Sequence, residues 1–199
     1  GQSGRTTAGD WKQMDEHGLL IDYLPGPCVD FAAADSTHQH NCYWARRYLG
    51  LVKGPGVPAY AWTVEDLNKA NDWAEFWWAL NTSPANTIAL AGDRASVTGS
   101  RHGHRLDVAF VLPAPESYPR PYTLTLAQDL QTCGSYKYIG DPQARARECK
   151  HPEDMVHHSA FVRPRLLAKV GGYNGRFLTL MIPQRKGAPP ARVARLPAL

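Results

Sequence analysis

The chain has 199 residues, 43% of them hydrophobic and 20% charged, with a formal net charge of +4 and a pI near 8.9. This apolar content excludes a disordered chain, and the length suffices for one domain with a sizeable core. The mildly basic balance suits an anionic partner, whereas nucleic acid selects denser Lys/Arg clusters and a membrane span needs an apolar run of ~20 residues that this sequence lacks.

Short hydrophobic runs recur along the chain between Gly, Pro, Asn and Asp. They predict strands at 18–24, 28–33, 43–53, 59–65, 75–80, 87–91, 95–98, 105–112, 122–130, 157–170 and 176–182. The sharpest is 105–112, where Leu106, Val108, Phe110 and Leu112 alternate onto one face, as a half-buried strand requires. Over 63–78, Thr63 and Asp66 have the spacing of a weak capping box, but Asn68, Asn71 and Asp72 cluster in the middle. A loop between two strands is therefore expected there. Pro25-Gly26-Pro27 and Gly54-Pro55-Gly56 cannot continue a ladder. Gly92-Asp93 joins two short strands, and Gly171-Gly172-Tyr173-Asn174-Gly175 offers positive-φ positions for a hairpin. The expected fold is all-β, an antiparallel β-sandwich of roughly ten to twelve short strands with little helix. Residues 1–186 read as one sandwich domain, and 187–199 as a Pro/Arg-rich tail or connection.

Cys133 and Cys149 bracket a polar, irregular stretch, and a disulfide there would contribute roughly 3 kcal/mol by closing a loop of about 15 residues. Cys28 and Cys42 bracket a similar distance, and two such clips fit an oxidising compartment, secreted or periplasmic. His38 and His40 share a face if the segment is extended, as do His102 and His104. Each pair offers two imidazoles to zinc, with Asp35 before the first and Asp107 after the second. Zinc is the one cofactor these residues suggest. No nucleophile elbow, P-loop or dinucleotide fingerprint is present. The carboxylate pairs Asp15/Glu16 and Glu65/Asp66 are adjacent in sequence, so on a strand they face opposite ways and make no two-carboxylate glycosidase site. Six tryptophans and nine tyrosines supply rings for a core or for stacking on sugars. Trp44, Trp62 and Trp77 are the candidate sugar-stacking residues, and Arg145 and Arg147 the candidate basic contacts. An exposed row among Trp44, Trp62, Trp73, Trp77 and Trp78 would mark a binding module. Burial of all five beside an unpartnered apolar face would mark one layer of a larger enzyme.

The stretch 41–112 resembles the β-sandwich region of the heparinase II/III-like polysaccharide lyases. The likeness is carried by an Arg-initiated apolar strand (Arg46-Arg47-Tyr48-Leu49-Gly50-Leu51-Val52-Lys53), then by Ala59-Tyr60-Ala61-Trp62-Thr63-Val64-Glu65-Asp66-Leu67, which ends in an acidic pair. Ala74-Glu75-Phe76-Trp77-Trp78-Ala79-Leu80-Asn81-Thr82, the run 88–97 and the strand 106–113 follow. Arg176-Phe177-Leu178-Thr179-Leu180-Met181-Ile182-Pro183 resembles the strand near the end of that sandwich. Together they cover about half of the chain. The resemblance implies a sandwich domain that supports a lyase acting on uronic-acid-containing acidic polysaccharides, partnered by an upstream helical domain of the same parent chain, with the isolated chain inactive. A non-catalytic carbohydrate-binding sandwich is the alternative. In the family, β-elimination draws on His and Tyr for acid–base work and on Arg or Asn to neutralise the uronate. That makes His38, His40, Tyr43 and Arg46 the catalytic candidates here, and His38-Gln39-His40-Asn41 a loose match to a zinc-binding motif.

Overall fold

The computed structural model describes residues 19–37, 42–56, 58–69, 73–83, 85–113, 123–133 and 161–194. Eleven strands carry it: β1 (Leu19–Leu24), β2 (Val29–Asp35), β3 (Trp44–Val52), β4 (Tyr60–Asn68), β5 (Ala74–Asn81), β6 (Thr87–Ala91), β7 (Arg94–Thr98), β8 (Arg105–Leu112), β9 (Thr125–Cys133), β10 (Phe161–Gly172) and β11 (Asn174–Gln184). Each predicted strand overlaps one of these, and of the stretch 63–78, where a loop was expected, 63–68 belong to β4 and 74–78 to β5.

The strands form two antiparallel sheets. The large one runs β1-β2-β3-β4-β11-β8-β7-β6 and the small one β5-β10-β9. The chain crosses between them after β4, β5, β8 and β10, which closes a sandwich around one core. Phe76 and Trp78 of β5 and Leu166, Ala168 and Val170 of β10 meet Ala95, Val108, Phe110 and Phe177 of the large sheet. Trp78 meets Phe110 edge to face, with centroids 5.1 Å apart at 86°. The alternation in β8 thus delivers Val108 and Phe110 to the core, with Leu106 packed against them.

Turn chemistry explains two connections and corrects a third. Gly56 (φ 81°) turns the chain between β3 and β4, and Gly92 (φ 61°) closes the two-residue turn between Ala91 and Arg94. The expected hairpin at 171–175 does not form, because β10 and β11 lie in different sheets. No glycine there has positive φ. Their requirement is space: a Cβ on Gly171 would stand 2.4 Å from the Trp73 ring, and one on Gly175 2.4 Å from Phe76.

Residues 188–193 lie along the outer face of β7 and β8. Arg94 donates to the carbonyls of Ala191 (3.2 Å) and Val193 (2.8 Å), and Asp107 accepts from the Ala191 amide at 2.7 Å. Arg105 adds a bond to the Ala188 carbonyl. Beneath this segment Ala109 is buried on the face opposite the core.

The expected Cys28–Cys42 disulfide is absent, and both thiols are free. Cys28 precedes β2 and bonds Lys53 beyond the end of β3, whereas Cys42 lies beside Thr37 at the other end of the same strand pair. At ~3.3 Å per residue, the seven residues of β2 hold the two about 20 Å apart, far beyond disulfide reach. The Cys133–Cys149 pairing involves residue 149, which lies outside the described residues.

Candidate functional site

The small sheet covers only part of the large one. No core-cluster residue comes from β1, β2 or β3, and where those strands run past β5 a cleft of about 450 Å³ opens between the sheets. Register assigns its walls. Pairing of β3, β4 and β11 puts Arg47 opposite Glu65 and Glu65 opposite Phe177, on the face that looks toward the small sheet. Leu67, Ala45 and Ala34 continue this wall, and Phe76, Trp77 and Ala79 of edge strand β5 form the other. Ser36, Cys42 and Lys69 border the end.

Glu65 is the buried charge of the cleft. Its carboxylate oxygen Oε1 stands 2.8 Å from Arg47 Nη2, an ion-pair distance approached off the hydrogen-bond direction, and Oε1 has no aligned donor among the described residues. Burial pushes the Glu65 carboxyl above the usual carboxylate range, with Arg47 pulling the other way. Burial also pushes the Cys42 thiol up, reinforced by the charge of Asp35. Sequence reading set Glu65 aside as half of an adjacent pair and did not single out Arg47. The available signal was their cross-strand spacing, which becomes visible only once the β3–β4 register is known.

The residues singled out from the sequence are dispersed. His38, His40, Arg145 and Arg147 lie outside the described residues, although Ser36 and Cys42, on either side of 38–41 in sequence, both line the cleft. Tyr43 is exposed just before β3. Arg46 borders the cleft, but its guanidinium pairs with Asp35 across the β2–β3 ladder at 3.2 Å. His102 and His104 are both exposed, with ring centroids 6.0 Å apart. No group of three potential metal ligands gathers among the described residues. Among the described residues zinc therefore has no donor set from which a step can be derived.

The tryptophans form no single row. Trp78 is in the core, Trp73 is exposed against Gly171, and Trp44, Trp62 and Trp77 are half-buried. Trp62 lies flat over Gly50 on the outer face of the large sheet, where a Cβ would stand 2.1 Å from the indole. Phe31 joins it at 6.2 Å and Tyr48 stacks on Phe31 at 6.4 Å, giving a three-ring aromatic patch. Trp44 is on the same face by register, opposite Asn68, and its Nε1 is buried with no partner among the described residues. Trp77 is elsewhere, on the small sheet, with Lys169 Nζ 4.3 Å and Arg165 Cζ 5.8 Å from its ring centroid and its indole N–H donated to Glu75.

No protein-family model matches the chain, and no curated protein matches it. Among solved structures it is similar to the heparan sulfate lyase HepC of Pedobacter heparinus, with a TM-score of 0.54 and 11% identity over 87% of this chain. It is also similar to a heparinase III gene product with methylated lysines, with a TM-score of 0.51 and 10% identity over 85% of this chain. The aligned part is 23% and 22% of those proteins, so the chain spans less than a quarter of either. The likeness establishes a heparinase-type β-sandwich fold.

Proposed function

We propose that this chain is the sandwich domain of a polysaccharide-lyase-type protein that meets uronic-acid-containing acidic polysaccharides outside the cytoplasm, and that it supports rather than carries the elimination. The observation that carries the reading is the match of 87% of this chain to less than a quarter of a heparan sulfate lyase. The exposed half of the large sheet agrees with it. Leu20 (67% exposed), Tyr23, Leu49 and Leu51 present an apolar surface on the inner face of β1 and β3, suited to an upstream helical domain of a parent chain.

Elimination at a uronate needs a cation to neutralise the carboxylate, a base for the α-proton and an acid for the leaving oxygen. Among the described residues, Arg46 and Arg47 near the cleft match the first role, and Tyr43 alone of the His/Tyr candidates is within the description. The test is ultraviolet absorbance of the unsaturated uronate product, with heparin, heparan sulfate, hyaluronan and alginate as substrates. Absence of product together with measurable polysaccharide binding is the expected result. Product that rises with protein concentration would place a complete site within these residues and overturn the supporting role.

A non-catalytic carbohydrate-binding module is the second reading, favoured by the Phe31–Tyr48–Trp62 patch. Half-buried rings on a sheet face suit stacking against sugar rings. Trp62→Ala, which removes the largest ring of that patch, separates the two: loss of polysaccharide binding in this variant selects the module.

A further inference from the structure

We infer that the cleft between β3, β4 and β5 is an anion-receiving subsite for an acidic saccharide, with the Arg47 guanidinium as its receptor. The inference rests on the reading that this domain meets acidic polysaccharide, and it locates where and through which group.

Three observations carry it. The first is the arrangement of the ion pair. The Arg47 side chain is 60% exposed and that of Glu65 is 7% exposed, so the cation stands at the solvent side of a buried carboxylate. Guanidinium has five donors in a fixed fork, and the contact with Glu65 is the one interaction Arg47 makes among the described residues. The remaining edge matches the two oxygens of a carboxylate or sulfate. The second is charge. Arg47 and Lys69 line the cleft, and of its two carboxylates Glu65 is paired with Arg47 while Glu75 is engaged by Lys169 and the Trp77 indole. The third is shape. A volume of about 450 Å³ lined by Phe76, Leu67 and Ala74 holds a short oligosaccharide and offers apolar surface to its rings. The outer aromatic face lacks this combination: its arginines Arg46 and Arg176 are surface ion pairs with Asp35 and Asp66.

The experiment titrates the full chain at low salt with heparan sulfate oligosaccharides, and in parallel with a fully desulfated chain that keeps its uronates and a sulfated chain whose carboxyls have been reduced. Arg47→Ala weakens binding at least tenfold, Arg47→Lys weakens it less because charge survives without the fork, and Arg176→Ala leaves it unchanged. The ligand on which the loss appears identifies carboxylate or sulfate as the recognised group. A double-mutant cycle with Glu65→Gln reads the anchoring, because Arg47→Ala costs less when its buried partner is already neutral. Equal cost in both backgrounds removes Glu65 from the subsite. Wild-type protein that binds while Arg47→Ala binds equally well overturns the subsite and leaves the polysaccharide reading standing. Wild-type protein that binds none of the three overturns that reading and the subsite together.

Discussion

On the inner face of the large sheet, Phe177, Phe110 and Val108 of β11 and β8 are almost fully buried, whereas Leu49 and Leu51 of β3 are each 42% exposed on that same face. The strands are of similar length, and register puts Leu49 and Leu51 on the face that Phe177 shares. What differs is the cover: β5 and β10 lie over one half, and no strand of the small sheet lies over the other. Alternation decides which side chains share a face, and a second layer decides whether that face is a core. The two halves thus differ: one holds the fold together, and the other leaves apolar surface and a charged cleft open to solvent.

The largest expected effect lies in the covered half. Phe177 is fully buried between β4 and β8 and at the centre of the core cluster. Phe177→Ala removes those contacts and leaves a cavity, at a cost of about 3–5 kcal/mol. Chemical denaturation checks it. A loss below about 1 kcal/mol would mean that the core does not depend on the junction of the sheets, and the contrast between the halves would fail.

A smaller effect of opposite sign is expected where the halves meet. Thr63 and Thr179 are paired across the β4–β11 ladder, both buried, and both hydroxyls lack a hydrogen-bond partner among the described residues. An unsatisfied buried hydroxyl costs about 1–3 kcal/mol, so the near-isosteric Thr179→Val raises stability by about 1 kcal/mol. A loss of stability in this variant would show that the hydroxyl is satisfied in solution.

This boundary is also where legibility in the sequence ran out. Strand positions were readable because each apolar run is punctuated by Pro, Gly or Asn, as at Gly54-Pro55-Gly56 and Gly92-Asp93. The sheet switch between β10 and β11 was not, because a run containing Gly171, Gly172 and Gly175 is the composition of a hairpin, and only the rings of Trp73 and Phe76 above it reveal the need for bare backbone. The disulfide expectation failed for a related reason. Separation along the chain between Cys28 and Cys42 resembled a loop, while the antiparallel pairing of β2 with β3 sent the two to opposite ends. The cleft was illegible for the same cause, since Arg47 and Glu65 meet only through register. Trp77, expected from the sequence to stack on sugar, borders the cleft with its ring engaged by Lys169.

The smallest expected effect is in the exposed half, and it is the most informative about function. Leu49 and Leu51 already meet solvent, so Leu49→Ser combined with Leu51→Ser changes stability by only about 0.5 kcal/mol or less per site. The same two changes remove apolar area from a face that continues through Leu20 and Tyr23. If that face receives a helical domain, the double variant keeps the melting behaviour of this chain and loses association with that domain when the two are supplied as separate pieces. If the pair instead costs as much as a core substitution, Leu49 and Leu51 are buried in solution. The large sheet would then be covered along its whole width, and the apolar surface would be interior to this chain rather than a docking face.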